Sequence, residues 1–271
     1  MTITRIIRPR RLLVAVAAAT ALIVTMAGPA SADVSNPGTF EATILDGSTI
    51  ALTAETFEVG TSACEDGKDN DFDGNTDHSS VSADPDAECD SVDDANERLD
   101  GVQTNPDATI TFDVDADGDI TLDPADIVFP ETELCTDLGF DVWCLGATIV
   151  GSGSSAFSGF IDPDGPSGVT GTGTISLPVV IQVDLRDTDG FPNFNDDCFI
   201  GPISMTLTSN DYNHTTGTAT LSASSVDVPA VTMDCGSFIV DYNDAINDRL
   251  QLPDTEVAVT LLTDVDPPIL P

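Results

Sequence analysis

From residue 175 to residue 185 every odd position is apolar: Ile175, Leu177, Val179, Ile181, Val183 and Leu185, with Ser176, Gln182 and Asp184 among the residues between them. Only extended backbone puts residues two apart on one face, so this stretch predicts a long strand with one buried side. Pro178 lies inside the run and has no N–H to give to a ladder, which predicts a local edge or a bulge there. The same period returns at Ile110, Phe112 and Val114, at Ile203, Met205 and Leu207, at Ala219 and Leu221, at Phe238, Val240 and Tyr242, and at Val257, Val259 and Leu261. Turn-rich stretches such as residues 162–165 and 210–217 separate these runs. Short strands alternating with turns predict an all-β protein, a β-sandwich-like antiparallel domain or an incomplete barrel. One segment, residues 244–252, predicts a short helix near the C-terminus, with Asn243 or Asp244 as its cap and Pro253 as its stop.

Glycine and serine crowd residues 151–173. A linker between two domains would have this composition, but strand-like residues lie on both sides, so small residues in twisted strands and hairpins are expected instead. The organisation that follows is a signal peptide at 1–32, the first strands of one β domain at 33–63, an Asp-rich insertion at 64–97, and the remainder of the β domain at 98–271.

The signal rests on Arg5, Arg8, Arg10 and Arg11, an apolar run from Leu12 to Met26, and Ala30-Ser31-Ala32, with cleavage expected after Ala32. Arg10 and Arg11 suit a twin-arginine route and the general secretory route alike. Residue 33 is Asp and not Cys, so no lipid anchor is expected. The sequence holds no second apolar stretch of spanning length, which predicts a protein that is soluble outside the cytoplasmic membrane, without membrane insertion after signal cleavage.

All 47 acidic residues follow the signal, whereas only Lys68, Arg98, Arg186 and Arg249 remain of the basic ones, a net charge of −43. Such a surface repels nucleic acid phosphates and anionic lipid, so neither is an expected partner. It also opposes compaction unless cations or salt screen it. The six cysteines of an exported chain, with no Cys-x-x-Cys pair, predict disulfides in place of metal thiolates. About 15 pairings are open. Neighbours in sequence, Cys64 with Cys89, Cys135 with Cys144 and Cys198 with Cys235, each bracket one loop or hairpin and are the expected set.

Residues 64–97 hold 13 Asp and Glu, and their centre reads Asp69-Asn70-Asp71-Phe72-Asp73-Gly74-Asn75-Thr76-Asp77. Calcium takes six to eight hard oxygen ligands, and carboxylates at alternate positions of a tight loop converge on one point. Asp69, Asp71 and Asp73 supply them, Gly74 permits the turn, the carbonyl of Asn75 follows, and Asp77 binds directly or through water. An EF-hand needs an acidic twelfth residue, and here it is Ser80. Asp66, Asp84 or Glu88 must close the shell.

This stretch, from Cys64 to Asp77 with Asp84-Pro85-Asp86 and Cys89 behind it, resembles the cysteine-flanked calcium modules of secreted bacterial proteins, which are similar to thrombospondin type 3 repeats. The resemblance covers about 30 residues and implies a module that folds around calcium and is closed by a Cys64–Cys89 bridge; with the spacing above, the expected Ca2+ ligands are Asp66, Asp69, Asp71, Asp73, Asn75, Asp77 and Asp84. Asp113-Val114-Asp115-Ala116-Asp117-Gly118-Asp119 repeats the spacing. Strand-like residues flank it, so a hairpin turn is the expectation there and a second calcium the alternative.

Cys198-Phe199-Ile200-Gly201-Pro202-Ile203, residues 216–221, Val228-Pro229, Cys235-Gly236 and residues 250–253 resemble uncharacterised exported β-proteins of actinobacteria. That resemblance implies a sandwich-like envelope protein with Cys198 joined to Cys235, and no activity. Catalytic machinery is thin: His78 and His214 are the two histidines, each expected at the surface, and no Gly-x-Ser-x-Gly elbow occurs at residues 151–155. Trp143, beside Cys144, is expected to pack over a disulfide, and the 12 Phe to fill the core.

The expected function is a non-catalytic, secreted or cell-envelope calcium-binding protein with a structural or interaction role and an envelope or extracellular partner. Two other classes stay open. One is a secreted hydrolase of polysaccharide or ester, for which a cleft with two carboxylates about 5 to 9 Å apart would speak. The other is a surface-layer or appendage subunit that self-associates through calcium.

Overall fold

The structure, a computed structural model, describes residues 34–59, 64, 108–137, 142–154, 156–163, 171–187, 198–231, 235–237 and 240–271. The elements in chain order are β1 (Gly38–Ala51), β2 (Thr56–Val59), β3 (Thr109–Val114), β4 (Asp119–Leu122), β5 (Ile127–Val128), β6 (Thr132–Asp137), β7 (Val142–Gly151), β8 (Phe157–Asp162), β9 (Thr172–Asp187), β10 (Phe199–Asn213), β11 (Thr218–Val228), β12 (Gly236–Ser237), β13 (Val240–Asp241), α1 (Asn243–Leu250) and β14 (Asp254–Asp266). This is an antiparallel, sandwich-like all-β fold with one short helix near the C-terminus.

Its ladder closes on itself. The order β1-β14-β11-β10-β9-β8-β4-β3 returns to β1 through a further β1–β3 pairing, and β7 and β5 form a second bridge from β9 to β3. Long strands share their edges between two partners. β9 gives residues 174–176 to β8 and residues 181–187 to β7, while β10 covers its other edge. Pro178 falls in the gap between those two partners, so a strand-interior proline is tolerated at a local edge. β1 likewise pairs β3 through residues 38–43 and β2 through residues 48–51, with β14 along its other side. At the seam that closes the ring, Phe40 and Phe112 are register partners and stack with centroids 6.1 Å apart. Such an aromatic pair adds about 1 kcal/mol beyond the area it buries.

The predicted period is borne out in burial: Ile175, Leu177, Val179, Ile181 and Leu185 are buried, as are Val257, Val259, Leu261 and Val265 of β14. Small residues in the glycine-rich stretch make room for backbone. A Cβ on Gly159 would sit 2.1 Å from the Ser176 carbonyl oxygen, where β8 meets β9. Gly217, at φ +80°, precedes β11 beside the Val265 carbonyl, whose oxygen lies 2.2 Å from where a Cβ would stand.

The helix begins one residue earlier than its expected cap allows. Tyr242 is the N-cap and makes no side-chain cap bond; the Asp241 carboxylate accepts the Asn243 N–H at 2.9 Å instead. Gln251, in the left-handed region, ends the helix, and Leu252 N–H closes it on the Asn247 carbonyl. Ile246 and Leu250 are its buried face, and the Asn247 side chain clamps both main-chain groups of Val231. Cys198, just before β10, is bridged to Cys235, just before β12, with Cα atoms 4.5 Å apart. Cys64 and Cys144 are also disulfide-bonded, and Cys135 stands opposite Cys144 in the β6–β7 ladder.

Two carboxylates hold strand starts and corners in place. Asp254 Oδ2 accepts the Thr53 N–H at 2.6 Å and its Oδ1 accepts the Glu256 N–H at 2.9 Å; these bonds hold its carboxyl below the usual range. Burial alone would raise Asp211, but hydrogen bonds from the Thr220 N–H and the Ser209 hydroxyl outweigh it and hold Asp211 low as well. A depressed carboxyl contributes stability above its unfolded value, about 3.9, that is lost as pH falls through the folded value. Asp254→Asn, whose amide oxygen cannot serve both donors alike, is therefore expected to cost about 1 to 3 kcal/mol at pH 7 and progressively less below about pH 4. Urea unfolding of both proteins at pH 7 and pH 3 checks this; an equal gap at both values would contradict it.

Candidate functional site

Asp66, Asp69, Asp71, Asp73, Asn75, Asp77 and Asp84 lie outside the described residues, in the chain between β2 and β3. Cys64 at the start of that stretch is fully buried and disulfide-bonded. Its expected partner Cys89, together with His78 and the side chain of Trp143, also lies outside the described residues.

The second Asp-x-Asp-x-Asp-Gly run is a hairpin turn between β3 and β4. Asp115 Oδ1 accepts the N–H groups of Asp117 and Asp119 at 2.8 and 3.0 Å, and Gly118, at φ +84°, donates to the Asp115 carbonyl at 3.1 Å. Asp113 Oδ1 takes the Thr39 hydroxyl at 2.6 Å. Asp115 Oδ1 thus holds its own turn and Asp113 Oδ1 holds β1. Among the described residues no group of three or more His, Cys, Asp and Glu is placed to hold a metal ion.

The two ends of the ring differ. At one end, residues 268–270 cross the mouth beside residues 34–36. Ser35 N–H donates to the Leu270 carbonyl, Asn36 Nδ2 donates to the Pro268 carbonyl, and Leu270 N–H donates to Asn36 Oδ1. Ile269 is fully buried, and its N–H and carbonyl both meet the Tyr212 hydroxyl. Burial pushes the Tyr212 phenol up to about 12, so it stays protonated and able to donate as well as accept.

His214 belongs to this seal, contrary to its expected place at the surface. It is 4% exposed, its Nδ1 lies 3.2 Å from the Ile269 carbonyl oxygen and its Nε2 2.6 Å from that of Pro163, and its ring meets Tyr212 edge-on. Asn213 and Thr215 made the turn look solvated. The partners that bury the ring come from 51 and 55 residues away, which no local pattern announces. With both nitrogens on main-chain carbonyls, the imidazole joins the end of β10 to the chain after β8 and to the C-terminal segment, and presents no nitrogen to a substrate.

The opposite end is hollow. The late residues of β1, β9 and β11 and the early residues of β10 and β14 surround a void of about 100 Å³, with Leu250 of α1 also in its lining. Among the described residues its lining is apolar apart from Thr132. A void forfeits about 24 cal/mol per Å³, so this one costs the fold roughly 2 kcal/mol.

The chain matches no family model, no curated protein and no solved structure.

Proposed function

We propose that this protein is a non-catalytic calcium-binding protein of the extracellular space or cell envelope, in which a rigid β framework carries an acidic segment ordered by Ca2+. The observation that carries the reading is the Asp69-x-Asp71-x-Asp73-Gly74 spacing, set between Cys64 and Cys89 in a chain with net charge −43 after residue 32. Hard oxygen ligands at that spacing suit calcium, and a divalent ion relieves repulsion among the carboxylates as it binds. The buried Cys198–Cys235 bridge supports an oxidising compartment and so agrees with export behind the signal at residues 1–32. β2 and β3, which flank the segment in sequence, both pair with β1 and give it fixed ends.

Isothermal titration of the mature protein is expected to show calcium binding that Asp71→Ala and Asp73→Ala each abolish. Identical heats from wild type and both variants would remove the case. Sedimentation in the same buffers separates a segment ordered within one chain, which leaves the mass unchanged, from calcium-bridged assembly, which raises it.

A further inference from the structure

The hollow end of the ring is a candidate binding site that the calcium reading does not use. Ile203 and Met205 of β10, Ala147 of β7, Val226 of β11, Val259 of β14 and Phe57 of β2 stand around a void of about 100 Å³. An engineered apolar cavity of about 150 Å³ stays dry and takes up benzene or xenon, so a void two-thirds that size admits a group of that order. Water has little to gain there, because it needs two to four polar partners and, among the described lining residues, Thr132 alone carries a polar side chain.

The packing differs between the two ends. Ile50, Leu52, Phe57, Ala147, Val183 and Met205 are only partly buried, and all six line this void. At the other end Ile269 and Tyr212 are wholly enclosed and hydrogen-bonded. One end is thus closed by the protein's own chain, while at the other six apolar side chains are only partly buried around the void. Charge narrows the ligand further: a chain at −43 raises the cost of bringing any anion to this mouth.

We propose that this void binds a small uncharged hydrocarbon group, free or at the end of a neutral alkyl chain. The test is methyl-detected NMR of the isoleucine-, leucine- and valine-labelled mature protein titrated with benzene, 1-hexanol and hexanoate. Benzene and hexanol are expected to give saturable shifts confined to methyls such as those of Ile203, Val226 and Val259, with Ile269 and Val265 unmoved. Hexanoate is expected to bind at least tenfold more weakly than hexanol.

Ala147→Leu fills the void from a small lining residue and is expected to weaken benzene at least tenfold; Val226→Leu does so from another wall, should the first variant fail to fold. Absence of localised shifts at saturating benzene would overturn the proposal, as would shifts that persist unchanged in a folded filled variant. Hexanoate binding as tightly as hexanol would overturn the uncharged specificity. Uptake of benzene without hexanol would overturn the chain-end form of the proposal and leave a free hydrocarbon as the ligand.

Discussion

Deleting residues 268–271 is expected to lower the stability of the mature protein by more than about 4 kcal/mol and its Tm by roughly 10 to 20 °C. Ile269 is fully buried, and losing an isoleucine side chain from a core costs about 2 to 5 kcal/mol. The deletion also strips the Tyr212 hydroxyl of both main-chain partners and takes one carbonyl from His214. Each buried polar group left unmade adds about 1 to 3 kcal/mol. Tyr212→Phe is the control, because it removes the hydroxyl and leaves the apolar plug in place; it should cost about a third as much. Calorimetric unfolding of the three proteins measures the difference, and a deletion no worse than Tyr212→Phe would show that the segment does not seal the ring.

The second large effect belongs to the bridge between Cys198 and Cys235. It closes a loop of 37 residues, and chain entropy alone assigns such a crosslink about 4 kcal/mol. Both sulfurs are buried, so the bridge joins the start of β10 to the approach of α1 inside the core and not at the surface. The double variant Cys198→Ala with Cys235→Ala is therefore expected to lose about 4 kcal/mol in guanidinium unfolding, mainly through a less restricted unfolded chain. A loss below about 1 kcal/mol would mean that the unfolded chain is already constrained in this region.

The strands were legible because burial of one face imposes its own period. Ile175 to Leu185 carried that signal, and Val183 departs from full burial only where it lines the hollow end. Pro178 announced an edge, and the gap between the partners of β9 supplies one. The Asp115 hairpin was legible for a local reason, since a carboxylate that folds back on N–H groups two and four residues ahead needs nothing distant.

Closure was not legible. The Phe40–Phe112 seam joins positions on either side of the whole Asp-rich segment, and alternation says which face is buried without saying which strand lies alongside. His214 failed for the same reason, being buried by Pro163 and Ile269. The helix cap went astray because Asp241, outside the helix, does the work expected of Asn243 or Asp244.

The calcium segment is the centre of the account, and amide hydrogen exchange reads it most directly. In excess Ca2+, residues 64–89 should exchange at least tenfold more slowly than in chelator, with β9, β10 and β14 unchanged between the two conditions. Equal exchange of residues 64–89 with and without the ion would contradict the account.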